Sequence, residues 1–126
     1  MKACTEFGTS EMTENRIPIA FFATPSGTEP VRDWLKGLDK PDRVRIGEDL
    51  NELEFGWPVG MPLCRPMGQG LYELRSSLKD RIARLLFGFV EDRLVIVHGF
   101  IKKSRATPKS DLELARSRLK SVKEWR

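Results

Sequence analysis

The sequence predicts a single α+β domain built on a small, mostly antiparallel sheet with two helices over one face. Three observations predict this class. A short β-rich run precedes two segments with helical spacing of apolar residues, three alternating segments come next, and an amphipathic segment closes the chain. The predicted order is therefore β-α-α-β-β-β-α. The two early helices must cover the same side of so small a sheet, which leaves its other side partly open. A chain of 126 residues is long enough for one such domain with its own core.

The first half of the chain supplies the leader, the first strand and the two helices. Residues 1–16 are polar and aperiodic, which predicts a disordered leader, and the domain itself then spans residues 17–126. IAFFAT at 19–24 is rich in β-formers and ends at a Pro-Ser-Gly turn signal, so it predicts the first strand. The apolar positions at helical spacing are Val31, Trp34, Leu35 and Leu38 in the first helix, and Ile46, Leu50, Leu53 and Trp57 in the second.

The second half of the chain supplies the rest of the sheet and the last helix. Glycines and prolines in VGMPLCRPMGQG predict a loop at 59–70. Three strands are predicted after it, and Thr107 with Pro108 then marks the start of the final helix. The predicted strands lie near 71–76, 81–90 and 93–101, and the buried stripe of the final helix is Leu112, Ala115, Leu119 and Val122.

Charge is divided unevenly along the chain. Residues 1–64 hold seven Lys/Arg against eleven Asp/Glu, a net charge of −4, whereas residues 65–126 hold fifteen against seven, a net charge of +8. Such asymmetry indicates a polyanionic partner for the second half. A mixed, solubilising surface is the alternative interpretation. Because the excess lies on predicted strands as well as on loops, we favour the polyanion.

Several classes of protein are disfavoured by what the sequence lacks. It has neither an apolar run near the ~20 residues of a membrane-spanning helix nor a secretory signal pattern. Cys4 and Cys64 follow no disulfide pattern, which suits a reducing cytoplasm. Together with His98, the only histidine, they show no metal-ligand spacing, and the chain has neither a glycine-rich phosphate loop nor a nucleophile elbow. We therefore expect a cytoplasmic protein without a cofactor or metal.

Charged residues on the predicted strands are the first candidates for function. Side chains alternate across a strand, so Glu73 and Arg75 share the open face if Leu74 packs on the helices. Arg84 is expected on the same face, while Arg81 would need a bulge or a strand end to join it. The alternative for Glu73 is a simple cross-strand ion pair, worth under ~1 kcal/mol where exposed. The second half has too few carboxylates to pair all of its basic residues.

Further basic residues lie where the last strand leaves the sheet. Lys102, Lys103 and Arg105 follow that strand and, beside the strand arginines, would extend a positive surface suited to phosphates. A basic run at a strand exit is ordinarily a solvated end, so its value depends on the strand arginines. His98 shares a strand face with apolar neighbours, which favours a structural role over a catalytic one.

Two stretches carry a family resemblance. GLYELRSSLKDRIARLLF, followed by HGFIKKSRATPKSDLELARSR, resembles the phage-derived branch of the HigB-like toxins, within the RelE superfamily of toxin–antitoxin systems. The resemblance covers about residues 17–123 and is sharpest at ELR (73–75), at RIAR (81–84), and at HGFIKK with TP (98–108). It implies a RelE-like fold and a cytoplasmic toxin that cleaves messenger RNA, typically on the ribosome, without a metal. It also implies a helix-turn-helix antitoxin, with DNA contacted only through the antitoxin complex.

The resemblance also implies roles for single residues. In such enzymes the 2′-hydroxyl attacks the adjacent phosphate and leaves a cyclic phosphate end. Arg75 and Arg84 match positions expected to hold the scissile phosphate, and Lys102 and Lys103 match the basic pair after the last strand. Prepositioned guanidiniums would stabilise the charge that gathers on the phosphate oxygens, by ~3 kcal/mol for one good donor.

The general base stays open at this point. The chain lacks the tyrosine that the best-known relatives carry near the C-terminus, and Trp125 is the only aromatic residue there. Lys102 or Lys103, with a pKa depressed by like-charged neighbours, is one choice of base, and Glu73 or His98 is the other. The residues predicted to contact RNA phosphates are Arg81, Arg105, Lys109, Arg116 and Lys120.

Two other functions share this scaffold. A ParE-like toxin would poison a topoisomerase, which is a protein-binding function. A non-catalytic module would only bind nucleic acid and take part in autoregulation with its antitoxin. The basic face favours RNA over the first alternative, but it does not separate cleavage from binding.

Overall fold

The structure is a computed structural model that describes residues 4–7, 17–56, 64–102 and 107–124. Within these ranges the chain forms six strands and three helices. In chain order they are β1 (Cys4–Phe7), β2 (Ile19–Phe22), α1 (Pro30–Lys36), α2 (Lys40–Gly56), β3 (Cys64–Gly68), β4 (Leu71–Ser77), β5 (Ile82–Val90), β6 (Arg93–Lys102) and α3 (Lys109–Glu124).

All six strands belong to one sheet, in the order β1-β2-β6-β5-β4-β3. Neighbouring strands run antiparallel except β2 and β6, which are parallel. The predicted α+β class with a mostly antiparallel sheet is therefore confirmed. The observed order contains two more strands than predicted, because the sequence predicted a disordered leader where β1 lies and a loop where β3 lies. None of the helices in the described part of the chain is long and apolar enough to cross a membrane.

Strand β1 lies inside the leader for which disorder was predicted. It pairs antiparallel with β2, with Phe7 opposite Ile19. Pairing with a distant strand supplies backbone hydrogen-bond partners that local composition does not reveal, so the structure differs from the predicted disorder in these four residues. The rest of the leader lies outside the described residues.

Strand β3 lies inside the predicted loop at 59–70, so the loop prediction is wrong for Cys64–Gly68. The strand forms the edge of the sheet and pairs only with β4 among the described strands, which lets it tolerate Pro66. Gly68, Gln69 and Gly70 then turn the chain with φ of 91°, 57° and 81°. Such left-handed backbone favours glycine, so the same residues that suggested a loop form a tight turn between two strands.

Helices α1 and α2 cover one face of the sheet, as predicted. Their apolar residues join side chains from the strands in a buried core that includes Phe21, Leu50, Leu53, Leu74 and Phe87. Pro30 occupies the first turn of α1, where its missing N–H costs no hydrogen bond. Trp57 lies outside the described residues.

The contact between α1 and β6 depends on the absence of a side chain at Gly99. A Cβ atom placed on Gly99 would lie 2.6 Å from Cζ3 of Trp34, which is closer than such atoms approach. We therefore expect Gly99→Ala to lower the free energy of unfolding by about 1–3 kcal/mol, because it overpacks the contact.

Urea unfolding of Gly99→Ala and of a second glycine variant would measure this effect. Gly47 lies inside α2, and a Cβ there would meet nothing within 4 Å. Gly47→Ala should raise the free energy of unfolding by about 0.5–1 kcal/mol through helix propensity alone. A change of the same sign in both variants would contradict the proposed packing at Gly99.

Helix α3 packs on the opposite face of the sheet. Ala115, Leu119 and Val122 are buried there and Leu112 packs beside them, so the predicted stripe is confirmed. Two arginines fix the flanks of the helix through backbone carbonyls. Arg116 Nη2 donates to the carbonyl of Met67 at 2.9 Å, and Arg118 Nη1 donates to that of Val97 at 2.9 Å.

A register shift between β5 and β6 turns two consecutive residues toward α3. Leu86 pairs with His98 and Phe87 pairs with Ile96, so Val97 is an extra residue in β6. Such a bulge re-aims side chains. Val97 packs in the cluster under α3, and His98 also contacts α3.

Candidate anion-binding site

A charged cluster lies on the α3 side of the sheet, on β4 and β5. In the register of these strands Glu73 is opposite Leu86 and Arg75 is opposite Arg84. Leu74 packs into the core under α1 and α2, so strand alternation places Glu73, Arg75 and Arg84 on the other face together.

The prediction that Glu73 and Arg84 stand on an open face is wrong. Arg84 and Glu73 are both fully buried, with 0% of their surface exposed. Arg84 lies on β5, which has β4 on one side and β6 on the other, and its neighbours in register are Arg75 and Phe100. A side chain at this position is surrounded by its neighbours, which alternation along one strand does not reveal.

The Glu73 carboxylate contacts every other member of the cluster. Its Oε1 atom lies 3.3 Å from Arg65 Nε, 3.4 Å from Arg84 Nη1 and 3.9 Å from Arg75 Nε. Its Oε2 atom accepts a hydrogen bond from the Thr107 hydroxyl. The sequence did not indicate Arg65 as a site residue, because its glycine and proline neighbours predicted a loop where the structure has β3.

The cluster has an excess of positive charge. Arg65, Arg75 and Arg84 carry three positive charges against the single negative charge of Glu73. The side chains of Arg65 and Arg75 are 33% and 22% exposed, so both are partly accessible to solvent, although Nε of Arg65 is buried. Guanidinium groups are planar, permanently charged donors that match phosphate oxygens two at a time. The arrangement suits a phosphate or another oxyanion placed over Arg65 and Arg75.

Thr107 connects the cluster to the start of α3. The sequence predicts that Thr107 caps this helix, but its hydroxyl donates to Glu73 instead. The first turn is closed by the backbone, where the N–H of Leu112 donates to the carbonyl of Pro108 at 3.2 Å. Helix α3 and the charged cluster are therefore joined through one side chain.

His98 forms a second polar group on the α3 side of the sheet, separated from Glu73 by Leu86. Its Nε2 atom lies 2.7 Å from Asp111 Oδ1, and the two side chains are 15% and 20% exposed. His98 pairs with Leu86, which in turn pairs with Glu73, so the histidine and the glutamate share one row across the sheet. A carboxylate that holds one ring nitrogen orients the other for proton transfer. Asp111 was not predicted, since an acidic residue in the first turn of a helix is ordinary.

Two predicted RNA contacts have structural partners elsewhere. Arg81 Nη2 lies 2.6 Å from Asp42 Oδ2 on α2, which places Arg81 toward the face opposite the cluster. Arg116 donates to the carbonyl of Met67 and so holds α3 against β3. Neither residue is brought to Glu73 by the structure.

The remaining basic candidates that the structure describes lie on α3 and at the end of β6. Lys109 and Lys120 are exposed on α3. Lys102 is the last residue of β6, and its backbone is opposite Ile82. Lys103 and Arg105 lie outside the described residues.

Cys64 is excluded as a nucleophile by its burial. Burial, together with the charges of Glu52 and Asp49, raises the pKa of the Cys64 thiol to about 12. The thiolate is the reactive form, so Cys64 stays inert at neutral pH. No group of three His, Cys, Asp or Glu side chains within the described ranges could hold a metal ion.

We expect Cys64 to react with a thiol reagent only after unfolding. In a Cys4→Ser variant at pH 8, labelling by iodoacetamide should be slow in buffer and complete in concentrated urea, because unfolding returns the thiol to its ordinary pKa of about 8.5. Intact-protein mass spectrometry would measure the modified fraction. Rapid labelling of the folded protein would show that the thiol is not buried as described.

One comparison places the chain among known proteins. A family model described as "Phage derived protein Gp49-like (DUF891)" matches residues 33–120, which is more than half of the chain. The match runs from α1 into α3 and includes all three arginines around Glu73. No curated protein matches the chain.

Proposed function

The chain belongs to the Gp49-like family of phage-derived proteins, a RelE/toxin-like family, and from this premise we propose that it is a toxin that cleaves messenger RNA. It acts in the cytoplasm as a HigB-like endoribonuclease on ribosome-bound RNA, without a metal or a cofactor. A helix-turn-helix antitoxin neutralises it, and DNA is contacted only through that complex. The observation that carries the proposal is the group of three arginines around the Glu73 carboxylate, two of which have partly exposed side chains.

The arginines have a defined task in the proposed reaction. The RNA 2′-hydroxyl attacks the adjacent phosphorus, the new O–P bond forms, and the bond to the 5′-oxygen breaks. Negative charge gathers on the non-bridging oxygens in the transition state. Arg75 and Arg65 face this charge from the exposed side of the cluster, and Arg84 adds positive charge from beneath. One well-placed donor of this kind contributes about 3 kcal/mol.

Glu73 acts as a positioning residue in this proposal. Both carboxylate oxygens face groups from the protein, with arginines at Oε1 and the Thr107 hydroxyl at Oε2. A buried carboxylate held in this way fixes the directions of the guanidiniums before substrate binds, which favours the transition state over the ground state. This arrangement supports an orienting role for Glu73 over the role of general base.

His98 is the general base that the geometry favours. The imidazole takes the proton of the 2′-hydroxyl, and Asp111 orients the ring and stabilises the imidazolium that forms. The departing 5′-oxygen takes a proton from a lysine at the end of β6, for which Lys102, its last residue, and Lys103 are the candidates. General base catalysis of this kind contributes roughly 10²–10⁴-fold to the rate.

Induced expression of the full chain in bacterial cells tests the proposal. Growth should stop and messenger RNAs should shorten within minutes, because translation loses its templates. Transcript lengths and plasmid supercoiling are measured together. Arrest with intact transcripts and altered supercoiling would favour a topoisomerase poison, while normal growth with retained RNA binding would favour the non-catalytic module.

A further inference from the structure

A pocket lies between α1 and α2, on the face of the sheet opposite the Glu73 cluster. Its volume is about 250 Å³, and its walls open to solvent on one side. The apolar part is formed by Phe21, Leu35 and Leu50. Phe21 and Leu50 belong to the main core, so the pocket floor is rigid and lined by carbon atoms.

A glycine keeps this pocket open. Gly47 lines it from within α2, where glycine weakens a helix, and a Cβ atom there would meet nothing within 4 Å. Val44 lies one helical turn before Gly47 and is 50% exposed. The glycine thus leaves empty space at a position where packing would permit a larger residue.

The rim of the pocket is basic, although the first half of the chain is acidic as a whole. Three of the seven residues that line the pocket are basic, namely Arg32, Lys36 and Arg43. Lys36 and Arg43 make no ion pair with any residue that the structure describes, and Arg32 reaches Glu29 only at 3.9 Å. Among the residues that the structure describes, these three cations therefore have little compensating negative charge in ion-pair contact.

We propose that this pocket docks an acidic amphipathic segment of a partner protein, which inserts one large apolar side chain. The volume is below the ~300–1,000 Å³ of pockets that enclose small molecules, and it suits one side chain. Carboxylates flanking that side chain would meet the three cations of the rim. Because the sheet separates the pocket from Glu73, the partner binds without covering the anion site, and docking does not depend on RNA cleavage.

The test is a titration of the ¹⁵N-labelled full chain with a synthetic helical peptide. The peptide presents one phenylalanine, with glutamates three residues before it and four residues after it. We expect the amide resonances of Gly47, Leu50 and Lys36 to shift, while those of Glu73 and Arg84 stay in place. Gly47→Leu should weaken binding about tenfold or more, because it fills the cavity that the phenylalanine enters.

Two controls separate charge from apolar contact. A peptide with lysines in place of the glutamates should bind about tenfold more weakly, and so should the Arg43→Glu variant with the original peptide. Gly47→Ala is a second variant that narrows the pocket while favouring the helix, and thermal unfolding checks that both Gly47 variants fold.

Several results would overturn the proposal. One is that the acidic and basic peptides bind equally well, and another is that folded Gly47→Leu binds the acidic peptide as tightly as the wild type. A third is that the Gly47 resonance does not shift up to about 1 mM peptide, a concentration at which even weak binding would be visible. Saturation of the same resonances by sodium decanoate alone would assign the pocket to a small amphiphile. A dimer in sedimentation that Gly47→Leu abolishes would assign it to a second copy of this chain.

Discussion

Replacing Arg75 with alanine should slow single-turnover RNA cleavage by roughly 10²–10³-fold, with little change in the affinity for RNA. Arg75 is partly exposed, and its Nε atom is the most distant of the three from Glu73, at 3.9 Å. Its removal therefore costs little internal pairing but takes away a donor to the transition state. The measurement is cleavage of ribosome-bound RNA at saturating concentration, with binding followed separately.

Lys120→Ala is the matched control for Arg75→Ala. Lys120 is exposed on α3, away from the Glu73 contacts, so its loss should weaken RNA binding and flatten its salt dependence while the chemical step continues. Undiminished cleavage by Arg75→Ala would mean that Arg75 does not stabilise the transition state. A loss of binding equal to the loss of rate would point to a phosphate anchor instead.

Arg84 is a poorer test residue because it is fully buried. Its replacement by alanine removes a large buried side chain from the sheet and one buried partner of Glu73, so stability should fall even though Arg65 and Arg75 still pair with that carboxylate. Loss of toxicity in Arg84→Ala would therefore mix misfolding with chemistry. The estimate of under ~1 kcal/mol for an exposed pair does not apply to Glu73 and Arg84, since both side chains are inaccessible to solvent.

Local periodicity predicted which residues share a face, because that property depends only on neighbours in sequence. The stripe of α3 follows from the period of 3.6, and the common face of Glu73 and Arg75 follows from the period of 2, whereas Arg84 joins them through the pairing of β4 with β5. Burial does not follow from such periods. Arg84 is inaccessible because β5 is a central strand, and only the order of strands in the sheet reveals this.

The residues of the site that were not predicted lie in sequence patterns that more often indicate a loop or the start of a helix. Arg65 sits on an edge strand whose proline and glycine are typical of loops, and an edge strand tolerates them because one of its sides needs no pairing. In the sequence, Asp111 is typical of an acidic residue that favours the start of a helix, and Thr107 is typical of a residue that caps one. Each of them instead contacts a strand residue distant in sequence.

Replacing His98 is expected to have the largest effect on the chemical step. His98→Gln should lower the single-turnover rate by roughly 10²–10⁴-fold, because the amide cannot take the proton of the 2′-hydroxyl. Glutamine can still donate a hydrogen bond to Asp111, so the contact between β6 and α3 is retained and the melting temperature should change little. His98→Ala removes both the base and the contact.

A comparison of cleavage rate with thermal stability separates a catalytic histidine from a structural one. Asp111→Asn should lower the single-turnover rate as well, since Asp111 orients the ring and stabilises the imidazolium that forms. A structural role predicts instead that the rate falls only in variants that also lose thermal stability. If His98→Gln cleaves RNA at the wild-type rate, then His98 only joins β6 to α3, and Lys102 or Lys103 is the better candidate for the base.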